Sequence, residues 1–113
     1  MRETQDIKKI SEFKDNSLLI VDDDNTFRER LSRAMEKKGF QVSQAESVKI
    51  GIESVKLKKP AFAVVDLRLN DGNGLEVVKE IQTNNPDSRI IMLTGYEISQ
   101  QLLRQLKRGQ SII

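Results

Sequence analysis

The chain has 113 residues, 19 basic and 17 acidic, for a formal net charge of +2, a length that suits one domain and leaves no room for a second. It contains no Cys and no His, which excludes disulfides, thiolate or imidazole metal sites and His-based acid–base or phosphoryl chemistry, and leaves carboxylate chemistry. The charges are interleaved rather than gathered into a stripe, so despite a pI near 9.0 no direct nucleic-acid binding is expected.

Residues 1–16 carry scattered apolar side chains only (Ile7, Ile10, Phe13) and read as a flexible lead-in without the apolar centre of a secretion signal. No run in the chain approaches the roughly 20 apolar residues of a membrane span, so the expectation is a cytoplasmic protein without membrane contact. A first strand is expected near 17–22, where Leu18-Leu19-Ile20-Val21 runs into Asp22-Asp23-Asp24. A helix near 25–38 follows, with Phe27, Leu31, Ala34 and Met35 as its buried stripe and Gly39 as a left-handed cap. A short strand near 40–45 leads to a second helix near 47–58, which carries Val48, Ile52 and Val55 on one face and stops before Pro60. Lys56, Lys58 and Lys59 at its end answer the helix dipole.

The run Phe62 to Val65 is apolar on both faces, the mark of a central parallel strand with helices on each side. It ends on Asp66. A turn at Asp71-Gly72-Asn73-Gly74 precedes a third helix marked by Leu75, Val77, Val78 and Ile81. A second turn, Asn84-Asn85-Pro86-Asp87, precedes a fourth strand from Arg89 to Thr94. The alternation of strands and helices implies an α/β fold built on a doubly wound parallel sheet.

In such a sheet the strands' carboxyl ends share one edge, where ligands bind. Asp22, Asp23 and Asp66 would converge there with the hydroxyl of Thr94. Two unit charges about 4 Å apart at an effective dielectric near 20 repel by roughly 4 kcal/mol, so uncompensated convergence is costly. A hard divalent cation removes that cost, and Mg²⁺ typically takes one or two carboxylates, several waters and a phosphate oxygen. An aspartate can also attack phosphorus to give an acyl phosphate, and Asp66, alone at the central strand end, is the candidate. The ordinary alternatives are N-capping for the Asp22–Asp24 cluster, which Asp24 or Asn25 can satisfy, and a plain β-branched strand residue for Thr94.

Leu19-Ile20-Val21-Asp22-Asp23-Asp24, Val64-Val65-Asp66-Leu67-Arg68-Leu69 with Asp71-Gly72-Asn73-Gly74, and Leu93-Thr94-Gly95-Tyr96 together resemble the receiver domain of two-component response regulators. The Leu-Arg-Leu and Asp-Gly-Asn-Gly wording is similar to the redox-responsive RegA/PrrA/ActR type. The resemblance implies a flavodoxin-like (CheY-like) fold and an Asp66 that accepts a phosphoryl group from a sensor histidine kinase. It also implies Mg²⁺ held by Asp23 and Asp66, by the backbone carbonyl of Arg68, and by Asp22 through water. Thr94 would be the switch hydroxyl and Tyr96 the switch aromatic. No enzymatic turnover is implied beyond self-phosphorylation from a phosphodonor and slow dephosphorylation.

The family pattern continues through a fourth helix, a fifth strand ending in Lys-Pro and a fifth helix. From Glu97 to Ile113 no Lys is followed by Pro, although Ile98, Leu102 and Leu106 suit a short amphipathic helix. Codons exist for this stretch that give a family-like segment in another frame, so a frameshift near codon 97 is an expectation that sequencing the locus would decide. A sheet without its fifth strand and helix leaves an apolar edge and face uncovered, so self-association through that edge or the fourth-helix face, or low stability, is expected. The alternative function is an interaction module that works without phosphorylation. A haloacid-dehalogenase-like phosphatase needs a second aspartate two residues after the first, and that position is Arg68.

Overall fold

A computed structural model describes residues 15–93; the expected lead-in up to residue 14, and the expected switch residues and amphipathic segment from Thr94 onward, lie outside the described residues. The chain order is β1 (Ser17–Val21), α1 (Asn25–Lys37), β2 (Gln41–Ala45), α2 (Val48–Leu57), β3 (Phe62–Asp66), β4 (Arg68–Leu69), β5 (Gly72–Asn73), α3 (Leu75–Asn84) and β6 (Arg89–Leu93). Four strands form one parallel sheet in the order β2-β1-β3-β6, so β1 and β3 are its inner strands, β3 as its apolar run predicted. The chain leaves β1 toward one edge of the sheet and leaves β3 toward the other. The crevice between their carboxyl ends is the topological switch point.

The helix boundaries follow from local chemistry. Asp24 caps α1 by accepting the Phe27 N–H at 3.0 Å, and Gly39, with φ of 104°, takes the left-handed turn that lets the chain reverse into β2. Ser47 caps α2 by accepting the Ile50 N–H at 3.1 Å. The main core lies between one face of the sheet and α2 with α3. There Leu19, Val21, Ala63 and Val65 pack against Val55, Val77, Val78 and Ile81, all close to full burial.

The opposite face differs from expectation. Of the stripe expected to be buried on α1, Phe27 is 41 % exposed, Ala34 is exposed, and Leu31 and Met35 are half-buried. The buried positions are Arg28 and Ser32. The reason is polar anchoring. The Arg28 guanidinium donates through Nη1 to the Asp22 carbonyl at 2.7 Å and through Nε to Gln44 Oε1 at 3.0 Å, and the Ser32 hydroxyl donates to the Arg28 carbonyl at 2.8 Å. The two Arg28 bonds turn that side of the helix toward β1 and β2, and hydropathy periodicity is blind to them.

Because α1 lies over β1 and β2, the same face of β3 is only partly covered among the described residues. Phe62 and Val64 are half-buried while Ala63 and Val65, on the α2/α3 side, are buried, so the expectation of full helical cover on both faces holds on one. An apolar groove of about 290 Å³ remains, lined by Leu18, Met35, Phe40, Phe62, Val64 and Ile91 among others. No helix among the described residues is long and apolar enough to cross a membrane.

Candidate functional site

Asp22 is the first residue beyond β1, and its N–H still donates to the Ala45 carbonyl at 3.0 Å, so strand pairing carries it into the crevice. Its carboxylate Oδ1 accepts the Asp24 N–H at 2.8 Å, a turn that bends the chain out of the sheet and releases Asp24 to cap α1. The Arg28 bond to the Asp22 carbonyl fixes the same turn from beneath. Asp66 ends β3. Its Oδ1 accepts the Arg68 N–H at 3.0 Å, and the next residue, Leu67, donates to the Leu93 carbonyl at 2.8 Å.

The structure brings together the acidic residues that the sequence singled out. Asp22, Asp23 and Asp66 each place a carboxylate oxygen within 4.8 Å of the others. Asp22 is 5 % exposed and Asp66 9 %. Together with Asp24, Arg68, Leu69 and Asn70 they line a cavity of about 450 Å³. Burial pushes the Asp22 carboxyl above the ordinary carboxylate range, and the neighbouring charges of Asp66, Asp23 and Asp24 add to this against the hydrogen bond from Asp24. Burial likewise raises Asp66, with a further push from Asp23, while the Arg68 N–H and the Arg68 charge oppose it. The pocket thus holds charge at a cost that a cation would remove.

The donor set suits a hard cation. Mg²⁺–oxygen bonds of about 2.0–2.1 Å put octahedral ligands roughly 3 to 4 Å apart, and Ca²⁺ at about 2.3–2.6 Å allows somewhat more. One oxygen from each of three carboxylates within 4.8 Å of the others suits an ion of either kind held directly or through a water. Arg68 lines the cavity. Thr94 and Tyr96, expected as switch residues, lie outside the described residues.

The loop from Leu67 to Gly74 is more ordered than the turn expected there. Arg68 and Leu69 pair antiparallel with Asn73 and Gly72, and the Gly74 N–H donates to the Leu67 carbonyl at 2.9 Å. A side chain at Gly74 would overlap the Asp66 carbonyl oxygen, so the absence of a Cβ lets the loop close directly behind the acidic site. Sequence reading placed Gly74 only as a turn residue, and it missed Arg28 because a lone Arg on an amphipathic helix carries no pattern of its own.

The chain matches the response regulator receiver domain over residues 18–112. It is 53 % identical over 95 residues to the photosynthetic apparatus regulatory protein RegA of Rhodobacter capsulatus, covering 84 % of this chain and 52 % of that protein. To the acid tolerance regulatory protein ActR of Rhizobium meliloti it is 56 % identical over 82 residues, covering 73 % of this chain and 42 % of that one. The chain therefore spans about half the length of these relatives. A response regulator from Burkholderia pseudomallei, solved with a phosphorylated aspartic acid, a calcium ion and citrate, superposes with a TM-score of 0.69 at 32 % identity, over 84 % of this chain and 56 % of that one. With its β2-β1-β3-β6 sheet, its three converging carboxylates and a match over most of its length, this chain belongs to the response regulator receiver domain family of two-component systems.

Proposed function

We propose that this chain is a phosphoacceptor receiver in which Asp66 takes a phosphoryl group from a sensor histidine kinase with Mg²⁺ in the acidic pocket. The observation that carries the reading is the convergence of Asp22, Asp23 and Asp66 at the switch point, with one oxygen of each within 4.8 Å of the others. Asp23, Asp66 and the Arg68 carbonyl would hold the ion directly and Asp22 through water, and the ion would neutralise charge on the transferring phosphoryl oxygens. The hydrogen bond from the Arg68 N–H to Oδ1 fixes the rotation of the Asp66 carboxylate. One carboxylate oxygen attacks phosphorus, the bond from phosphorus to the donor's imidazole nitrogen breaks, and that nitrogen leaves with the bonding pair. Thr94 and Tyr96 are proposed to read the resulting phosphate, as a hydroxyl that donates to a phosphoryl oxygen and an aromatic that changes rotamer.

The test is incubation with Mg²⁺ and acetyl phosphate, followed by intact mass measurement beside an Asp66→Asn control. A gain of one phosphoryl group that Asp66→Asn abolishes supports the reading. No gain in a folded protein that binds Mg²⁺ overturns it and leaves a receiver whose role is binding alone.

A further inference from the structure

The geometry points to Asp71 as the positioning residue of the acidic pocket: its carboxylate, at the tip of the β4–β5 ribbon, pins the pocket-lining loop to the N-terminus of α2. The Val48 N–H donates to Asp71 Oδ1 at 2.8 Å and the Lys49 N–H to Oδ2 at 3.1 Å, so both oxygens grip a helix more than 20 residues away in sequence. The first N–H groups of a helix lack partners of their own, and the positive end of its dipole favours a negative acceptor. Hydrogen bonds from Val48 and then Lys49 hold the Asp71 carboxyl below the ordinary carboxylate range, consistent with a charge engaged in the contact.

Ser47 satisfies only the Ile50 N–H at the start of α2, so Asp71 completes the capping there by taking the Val48 and Lys49 N–H groups. What Asp71 adds beyond capping is a tether to a different element. The loop it belongs to carries Arg68, Leu69 and Asn70 along the cavity wall and the Arg68 N–H that orients Asp66. At its base the loop is closed by two paired residues on each side and by the Gly74 N–H bond to the Leu67 carbonyl. An isolated two-stranded ribbon is marginal at best in water, and this one is shorter than most. Anchored at base and tip, it presents the main chain of Arg68 to the pocket in one place; released at the tip, it samples many.

This inference rests on the proposed metal-binding reading for its functional consequence but not for its structural one. The experiment compares wild type, Asp71→Ala, Asp71→Asn and Ser47→Ala by amide hydrogen exchange at Arg68 and Gly74, by calorimetric titration with Mg²⁺, and by thermal unfolding. Both Ala variants lose α2 capping bonds, so both lower the thermal midpoint. Only Asp71→Ala is expected to speed exchange at Arg68 and Gly74, by roughly tenfold, and to weaken Mg²⁺ binding by roughly tenfold. Asp71→Asn keeps one acceptor oxygen and is expected to recover part of both; it also carries the test if Asp71→Ala does not fold. Equal exchange at Arg68 in the Asp71 and Ser47 variants overturns the inference, because it reduces Asp71 to a second cap. If wild type fails to bind Mg²⁺ the metal reading falls, and the exchange rates alone still decide whether Asp71 holds the loop.

Discussion

Asp66 is held above the ordinary carboxylate range by burial and by Asp23, and Asp22 by burial and by its acidic neighbours. A carboxyl with a raised folded pKa contributes its full stability where it is protonated in both states, and loses it as pH rises through the folded value. The metal-free domain should therefore gain stability from these two groups as pH is lowered from neutral toward the range just above ordinary carboxylate values. Asp71 and Asp15, both lowered by hydrogen bonds from backbone N–H groups, act in the opposite sense, and their contributions vanish only as pH falls below that range. Asp66→Asn removes one of the converging charges while leaving an oxygen for the Arg68 N–H. Without divalent cations it should raise the thermal midpoint at neutral pH by roughly 4–8 °C, the shift that about 1 kcal/mol produces in a domain of this size. With saturating Mg²⁺ the proposed metal site predicts that the order reverses, since only wild type keeps all three carboxylates. An unchanged midpoint in metal-free buffer would mean that the three carboxylates do not strain the fold. The candidate ligands were legible as residues because each follows an apolar run directly. Their spacing was not, since it is set by the Asp24 and Arg68 N–H bonds and by the close approach of Gly74 behind Asp66.

Among the elements, strands and helices followed the sequence closely, and α1 shows where periodicity stops being informative. Its ends were readable from Asp24 and Gly39, but its rotation was not, because the decisive groups are the Arg28 guanidinium and the acceptors it reaches on Asp22 and Gln44. Arg28 is 8 % exposed, so truncating its polar end leaves the Asp22 carbonyl short of a donor in a poorly hydrated place, while the exposed Gln44 can turn to water. Arg28→Met, which keeps most of the aliphatic stem, should cost roughly 1–3 kcal/mol in urea unfolding, with Arg28→Lys intermediate. A loss below about 0.5 kcal/mol would place the anchoring elsewhere. The β4–β5 ribbon is the other element that escaped the sequence. Two residues per strand are too few to show alternation, and Asp71-Gly72-Asn73-Gly74 satisfies the simpler reading of a turn equally well.

At the scale of the whole fold, among the described residues two helices cover one face of the sheet and one covers part of the other. On β6, the outermost strand of the described sheet, Ile91 is 45 % exposed and Met92 49 %, and the groove beside Phe62 and Val64 opens next to it. An edge strand with apolar side chains on both faces is a template for pairing, and a second copy approaching about a two-fold axis would join both edges and both grooves. Sedimentation velocity should therefore show concentration-dependent self-association that Ile91→Lys weakens; a monomer at every concentration would count against it. Order and type of the four main strands, the central position of β3, and the acidic residues of the candidate site were determined by the sequence alone, because apolar periodicity, caps and strand-end aspartates are local signals. Which side of α1 is buried, how far the sheet is covered, and how the ribbon is tied to α2 were decided only by the tertiary structure. Each depends on a contact between residues distant in the chain: Arg28 with Gln44, α1 over β1 and β2 rather than β3, and Asp71 with Val48 and Lys49. No local pattern encodes such contacts, because their energy exists only once the sheet has brought the partners together.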